Sequence, residues 1–186
     1  ATQSLDTIQI GSATEAGNVL FQSSVRATTI TLDGGDAAAE AATAEFQDAI
    51  TATSITLENN TGAATLTVNA TNGAKTVAGT IDGGTAGDGT LAVIDDDADA
   101  APDAITFSGA VGGGGNGLGS ITVGSSTQAG SAIFTGAITK VGTVTITGGD
   151  NAAEDSVAEF ANVVTAATSF TLDDNAGEAT LKFDAA

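Results

Sequence analysis

Hydrophobic residues alternate with threonine or serine in short runs along the chain. The clearest runs are TTITL at 28–32, TSITL at 53–57, GSITV at 119–123, GTVTI at 142–146 and TSFTL at 168–172. Alternation with a period of two is typical of a half-buried strand, with one face against a core and the other carrying hydroxyl groups. Turn-forming clusters such as LDGGD and LENNTG follow these runs. The pattern predicts many short strands joined by tight turns.

A second motif consists of phenylalanine, three residues and a β-branched aliphatic residue. It occurs at Phe21–Val25, Phe46–Ile50, Phe107–Val111, Phe134–Ile138 and Phe160–Val164. Its middle position is always a turn former: Ser23, Asp48, Gly109, Gly136 or Asn162. We therefore predict a strand, a bend and a second strand, with both hydrophobic side chains pointing inward. The preceding DAAAEAATAE segment at 36–45 is also compatible with one or two helical turns on a loop.

The chain contains two copies of one longer pattern. Residues 10–21 match 123–134, residues 29–40 match 143–154, and residues 44–68 match 158–183, with an offset that drifts from about 113 to 115. Matches in consecutive blocks indicate a duplication. We assign residues 1–117 to the first copy and residues 118–186 to a second, incomplete copy of the same continuous β-structure.

The similarity within each copy favours an all-β parallel β-solenoid, or β-helix. Short strands and corners recur every 22–27 residues or so, as in the coils of such a fold. About seven coils at ~4.8 Å each would form a rod of roughly 35 Å, with phenylalanine and aliphatic ladders inside. The alternative is a pair of tandem antiparallel β-sandwich domains, which also fits the offset and the strand spacing.

Composition removes most catalytic chemistry. The 186 residues include no Cys, His, Trp, Tyr or Met. This excludes Cys and His nucleophiles, His general bases, soft-metal sites and disulfides. A serine nucleophile would need a lysine or amine base, and the only lysines, Lys75, Lys140 and Lys182, lie in no recognisable motif. We predict that the protein is not an enzyme and has no catalytic or organic cofactor-binding residues.

The formal net charge of −19 disfavours binding to nucleic acids and to anionic membranes. No apolar run reaches the ~18 residues of a membrane-spanning helix, so no membrane insertion is expected. The sequence starts without Met, which predicts a removed signal peptide or an excerpt from a longer chain. An acidic balance suits a secreted protein that meets divalent cations. It is equally explained by the need to keep an apolar chain soluble.

The best metal candidate is the acidic segment DDDADAAPD at 95–103. Asp95, Asp97, Asp99 and Asp103 have the 1, 3, 5, 9 spacing of an oxygen-rich calcium loop. Position 6 is Ala100 rather than Gly, so the match is partial, and a solvated acidic turn is the alternative. Calcium is thus the one predicted cofactor. Weaker candidates, for which turn or cap chemistry is the preferred explanation, are Asp33/Asp36/Glu40, Asp150/Glu154 and Asp173/Asp174/Glu178.

Outward hydroxyl rows follow from the alternating runs. The predicted pairs are Thr29/Thr31, Ser54/Thr56, Thr143/Thr145 and Ser169/Thr171. A flat array of this kind is a feature by which β-solenoids can bind ice. Thr is also a favourable residue on any exposed strand surface.

Taken together, the Phe-x-Gly-x-Val/Ile motif, the alternating Thr runs and the Asp-Gly-Gly or Asp-Asp-Asn turns resemble the β-strand repeat regions of large secreted bacterial surface proteins. That group includes adhesins, filament-forming proteins and surface-layer proteins. The GGxGxDxΦx nonapeptide of the calcium-binding toxin repeats is absent from the sequence. The resemblance implies an extracellular, cell-surface location and a structural or adhesive role, often with calcium.

Two functions follow as hypotheses. The first is a self-assembling subunit of a filament, sheath or surface layer, a homo-oligomer formed through strand or coil-end contacts. The second is a ligand-binding repeat module of a large adhesin, with a surface glycan as its partner. Sugars stack on exposed aromatic side chains, and the chain has neither Trp nor Tyr, which favours the first.

Overall fold

The computed structural model describes residues 4–71, 73–96, 102–165 and 167–184. Within these ranges all regular structure is β, with fifteen strands and no helix. The strands are β1 (Leu5–Gly11), β2 (Gly17–Phe21), β3 (Val25–Asp33), β4 (Ala42–Phe46), β5 (Ile50–Glu58), β6 (Ala64–Asn69), β7 (Lys75–Gly83), β8 (Asp88–Ile94), β9 (Ala104–Phe107), β10 (Leu118–Val123), β11 (Ser131–Phe134), β12 (Val141–Thr147), β13 (Ser156–Phe160), β14 (Ala167–Asp173) and β15 (Ala179–Phe183).

Successive strands alternate between two sheets. The odd-numbered strands form an eight-stranded sheet and the even-numbered strands a seven-stranded sheet. Every pairing of neighbouring strands is parallel, for example β3 with β5 and β10 with β12. The chain therefore winds as a β-solenoid of about seven turns of roughly 25 residues. This confirms the predicted fold and excludes the tandem antiparallel sandwiches. Both sheets continue across residue 117 without interruption.

The predicted bends lie at the corners of the coils. β2 ends at Phe21 and β3 begins at Val25, and the same spacing separates the end of β4 from the start of β5. In the second half of the chain, the aliphatic residue of the motif forms an isolated parallel bridge to the next coil, as between Val111 and Ile138. The reading of this motif as strand, bend and strand is confirmed.

The segment at 36–45 contains no helix: it forms a turn that leads into β4. The backbone N–H of Gly35 donates to the Glu40 carbonyl (2.8 Å), and that of Ala37 donates to the Glu40 carboxylate (3.0 Å). β4 then begins at residue 42. Local Ala and Glu helix propensity is a weak preference, which pairing of β4 between two neighbouring strands overrides.

Inward side chains stack on their counterparts one coil away. Phe107, Phe134 and Phe160 are stacked, with ring-centroid distances of 4.9 and 5.0 Å, and all three are buried. Phe21 and Phe46 form a shorter stack at 4.5 Å. A continuous aliphatic ladder runs beside them, formed by Ile8, Ile30, Ile55, Ile81, Val111, Ile138 and Val164. The stacks follow from in-register strands, which place identical positions ~4.8 Å apart.

The duplication does not coincide with a whole number of coils. The sequence match of 10–21 with 123–134 makes β10 the equivalent of β1, nine strands later. Nine is odd, so β1 lies in the eight-stranded sheet and β10 in the seven-stranded sheet. Phe21 and Phe134, which are equivalent in sequence, accordingly lie in opposite sheets. The two copies are related by a half-turn about the rod axis and a rise of four and a half coils, ~22 Å at ~4.8 Å per coil.

Candidate functional surfaces and the acidic loop

The acidic segment starts where β8 ends. The backbone N–H of Asp95 donates to the Ala129 carbonyl (2.9 Å), which fixes Asp95 against the next coil. Its side chain is buried, and its Oδ2 accepts a hydrogen bond from the backbone N–H of Asp103 (2.5 Å). The first and last of the four predicted ligands are thus brought together and close the loop. Asp97 and Asp99 lie outside the described residues.

A buried amide oxygen lies one coil before this loop. Asn69 is the cross-strand partner of Ile94, the residue that precedes Asp95. Its Nδ2 donates to the Glu45 carboxylate (2.9 Å), whereas its Oδ1 is buried without a hydrogen-bond partner. Calcium accepts amide oxygen as well as carboxylate oxygen as a ligand. The donor atoms at this corner are therefore of the types that the predicted ion binds. Among the described residues no group of three or more carboxylates is placed to hold a metal. Calcium therefore stays a prediction.

Calcium binding should raise the thermal stability of the protein. An ion that binds only the folded chain stabilises it by about 2.7 kcal/mol when its concentration is a hundred times Kd. Melting curves in calcium and in chelator should then have different midpoints. The difference should disappear in Asp97→Asn/Asp99→Asn and persist in the control Asp36→Asn, an exposed acid in another loop. Identical midpoints for the wild type would contradict calcium binding and leave the segment as a hydrogen-bonded acidic turn.

Four of the eight weaker acidic candidates hold turns or corners by hydrogen bonds. The carboxylates of Glu40 and Glu154 each accept a backbone N–H from their own loop, both at 3.0 Å. Asp174 accepts the backbone N–H of Ala179 (2.8 Å) where β15 begins. Asp33 accepts from Asn60 Nδ2 of the next coil (2.6 Å). These carboxylates fix the corners of successive coils, as expected for turn chemistry.

The predicted hydroxyl pairs do not form a single array. Thr29/Thr31 and Ser54/Thr56 lie on the eight-stranded sheet, whereas Thr143/Thr145 and Ser169/Thr171 lie on the seven-stranded sheet. The half-turn between the copies is the reason. The register also adds outward residues that the sequence interpretation omitted: Thr65, Thr67, Thr90, Ser120 and Thr122. The sequence pattern that predicts such residues was present, because hydrophobic residues alternate with Thr in ATLTV at 64–68 as they do in the other runs.

The two ends of the rod expose hydrophobic side chains. Leu5 and Leu20 are exposed at the β1/β2 end, and Leu172 and Phe183 at the β14/β15 end. In the described part of the chain, each of these four terminal strands pairs on one side only.

Comparison with protein families, curated proteins and solved structures gives no match. No helix of the described residues is long and apolar enough to cross a membrane.

Proposed function

We propose that the protein is an extracellular structural subunit that assembles with copies of itself into a bacterial surface filament, sheath or surface layer. The proposal rests on the structure of the two rod ends. Each end combines unpaired strand edges with exposed hydrophobic side chains. Unpaired edges of this kind form hydrogen bonds with further strands unless they are covered. Another chain or further coils of a longer chain satisfy them equally well.

Strand counting defines how a second copy would continue the rod. After β15 in the eight-stranded sheet, the next strand of the winding path belongs in the seven-stranded sheet. A second copy turned by half a revolution supplies it, with its β1 on β14 and its β2 on β15. Without the half-turn, one position in the seven-stranded sheet would remain empty. The same half-turn already relates the two copies within the chain.

The side chains at the two ends suit this arrangement. A second copy added with the half-turn places its Phe21 on Phe183. Phe183 is the last member of the phenylalanine stack and lies 5.5 Å from the Phe160 ring. The Ile10 of the added copy would meet Leu172, so hydrophobic ladders continue in both sheets. The charge of −19 opposes this contact between chains, and divalent cations or salt would screen it.

Association should require the hydrophobic end faces. Leu172 is 46% exposed on the end face, whereas Thr106 lies at an outward position of β9, the fifth of the eight strands in its sheet. Leu172→Lys should weaken association at least about tenfold, because burying a leucine side chain is worth ~1.5–3 kcal/mol and 1.4 kcal/mol corresponds to tenfold. The control Thr106→Lys adds the same charge in the middle of the rod and should leave association unchanged.

Sedimentation velocity across protein and calcium concentrations measures this. We expect the wild type and Thr106→Lys to grow in mass with calcium and to dissociate in chelator. A wild type that remains monomeric at high protein and high calcium would contradict the structural-subunit proposal.

The repeated loops favour an adhesin module as the second candidate. The capped turns at 34–41 and 148–155 have the same closing hydrogen bonds, from Gly35 to Glu40 and from Gly149 to Glu154. The half-turn places them on opposite edges of the rod. A monomer that presents one loop type in two directions suits a bivalent binder of surface glycans. A glycan array probed with the monomer tests this candidate independently of assembly.

A further inference from the structure

The outward face of the seven-stranded sheet carries a regular net of hydroxyl groups. Strands β6, β8, β10, β12 and β14 each contribute two adjacent outward positions. One row contains Thr65, Thr90, Ser120, Thr143 and Ser169, and the other contains Thr67, Ala92, Thr122, Thr145 and Thr171. Only Ala92 lacks a hydroxyl group. The register is constant between each pair of these strands, so both rows are unbroken.

Charge is absent from the net over its five strands. The chain has 23 acidic residues, and none occupies either row between β6 and β14. The second row ends at β4, where Glu45 lies opposite Thr67. The corresponding outward rows of the eight-stranded sheet are interrupted, since Asp82 follows Thr56 in one row and Glu159 is paired with Lys182 farther along. That sheet also has an irregular register between β5 and β7. An uncharged hydroxyl net of five strands, from β6 to β14, therefore lies on one face of the rod.

The spacing of the net follows from the strands. Neighbouring coils are ~4.8 Å apart, and alternate residues along a strand are ~6.6 Å apart, which makes the net nearly rectangular. The side chains are short and most are half-buried by their neighbours, so few atoms project from the face. Within a row, Thr90 Oγ1 and Ser120 Oγ lie 3.0 Å apart, at hydrogen-bonding distance.

The chemistry of the net excludes most ligands. Sugar rings need aromatic faces to stack on, metal ions need carboxylates, and anionic membranes need cationic residues, none of which is present in either row. A second copy of the chain that packed on this face would bury too little area for a stable interface. Five coils at ~4.8 Å by about 10 Å of strand give roughly 240 Å², well below the ~800 Å² per partner of a stable interface.

We propose that this face binds ice. Water in ice is a partner with a periodic surface, and its oxygen atoms recur at spacings close to those of the hydroxyl net. Hydroxyl groups in the two rows can take the place of lattice water, and the threonine methyl groups can lie between water molecules without breaking their hydrogen bonds. Charged side chains would order water in a geometry incompatible with that lattice, which gives their exclusion a physical reason. The proposal is independent of self-assembly, since the net lies on the side of the rod.

The test compares two single lysine substitutions. Thr122→Lys places a charge in the middle of the net, on β10. Thr106→Lys places the same charge at an outward position of β9 in the opposite sheet. Circular dichroism should show that both variants keep the wild-type fold. Ice recrystallisation and thermal hysteresis are then measured in chelator, so that calcium-dependent assembly does not contribute.

We expect the wild type and Thr106→Lys to inhibit recrystallisation, and Thr122→Lys to need at least about a tenfold higher concentration for the same effect. A wild type that is excluded from growing ice would overturn the proposal. Equal activity of the two variants would do so as well. If the wild type has no effect on ice and Thr122→Lys instead abolishes association between copies, the face is a contact between rods and the ice assignment is wrong.

Discussion

Replacing Phe134 by alanine should lower the free energy of unfolding by ~3–5 kcal/mol. Phe134 is fully buried, and its ring is stacked between Phe107 at 4.9 Å and Phe160 at 5.0 Å. Removing the ring leaves a cavity in the middle of the ladder. The coils above and below cannot close it, because backbone hydrogen bonds hold β11 to both neighbours.

Equilibrium denaturation measures the loss, with Thr145→Ser as the control. Thr145 lies on the outer face of β12, so removing its methyl group should cost under ~0.5 kcal/mol. Small and equal effects at the two positions would contradict the inward ladder.

Replacing Gly136 by alanine should also be strongly destabilising. A Cβ atom at Gly136 would collide with the carbonyl oxygen of Gly109 in the preceding coil, and one at Gly109 would collide with that of Gly79. The obstacle is backbone rather than a flexible side chain, so the coils must separate to make room. Overpacking of this kind typically costs ~1–3 kcal/mol.

Gly113→Ala is the matched control for this change. Gly113 lies in an exposed loop, and the only close neighbour of an added Cβ is the methyl group of Ala110 (3.1 Å). We expect a change within ~0.5 kcal/mol for this variant. The denaturant midpoints of the two variants are compared with that of the wild type. Equally small shifts would show that the bend at Gly109 and Gly136 tolerates side chains.

Local patterns in the sequence were sufficient to predict the coil. The Thr-Φ-Thr-Φ runs locate strands because alternation has a direct physical meaning in a half-buried sheet. The spacing from Phe46 to Ile50 locates a corner because both residues must point inward on either side of the bend. Repetition of these units within one copy pointed to stacked coils, since each unit can bury its hydrophobic face only against a neighbour.

The relation between the copies could not be predicted from the sequence. An offset of about 114 residues is compatible with either four and a half or five coils when coils vary between roughly 22 and 27 residues. Only the strand register shows that β1 and β10 lie in opposite sheets. The hydroxyl pairs, read as equivalent in sequence, were for that reason assigned to one array when they form two.

Contacts between residues far apart in sequence account for the other features that the sequence did not predict. Gly109 and Gly136 were interpreted as turn formers, yet what requires glycine there is the backbone of the preceding coil, which sequence propensity does not report. The hydrogen bond from Asn60 to Asp33 spans 27 residues and equally has no local signature. The acidic segment could be proposed as a calcium loop because the spacing of its four Asp residues is a local pattern. Of its four residues, the structure places Asp95 and Asp103 together at the two ends of the loop.

Electron microscopy of the purified protein, imaged at high concentration in calcium and again after chelation, tests the proposed function most directly. We expect rods joined end to end into filaments or sheets in calcium, which break into short particles when calcium is removed. One rod of about seven coils at ~4.8 Å is roughly 35 Å long, so an assembly of even ten copies is easily distinguished from a monomer. Dispersed single particles under both conditions would contradict self-assembly of the protein.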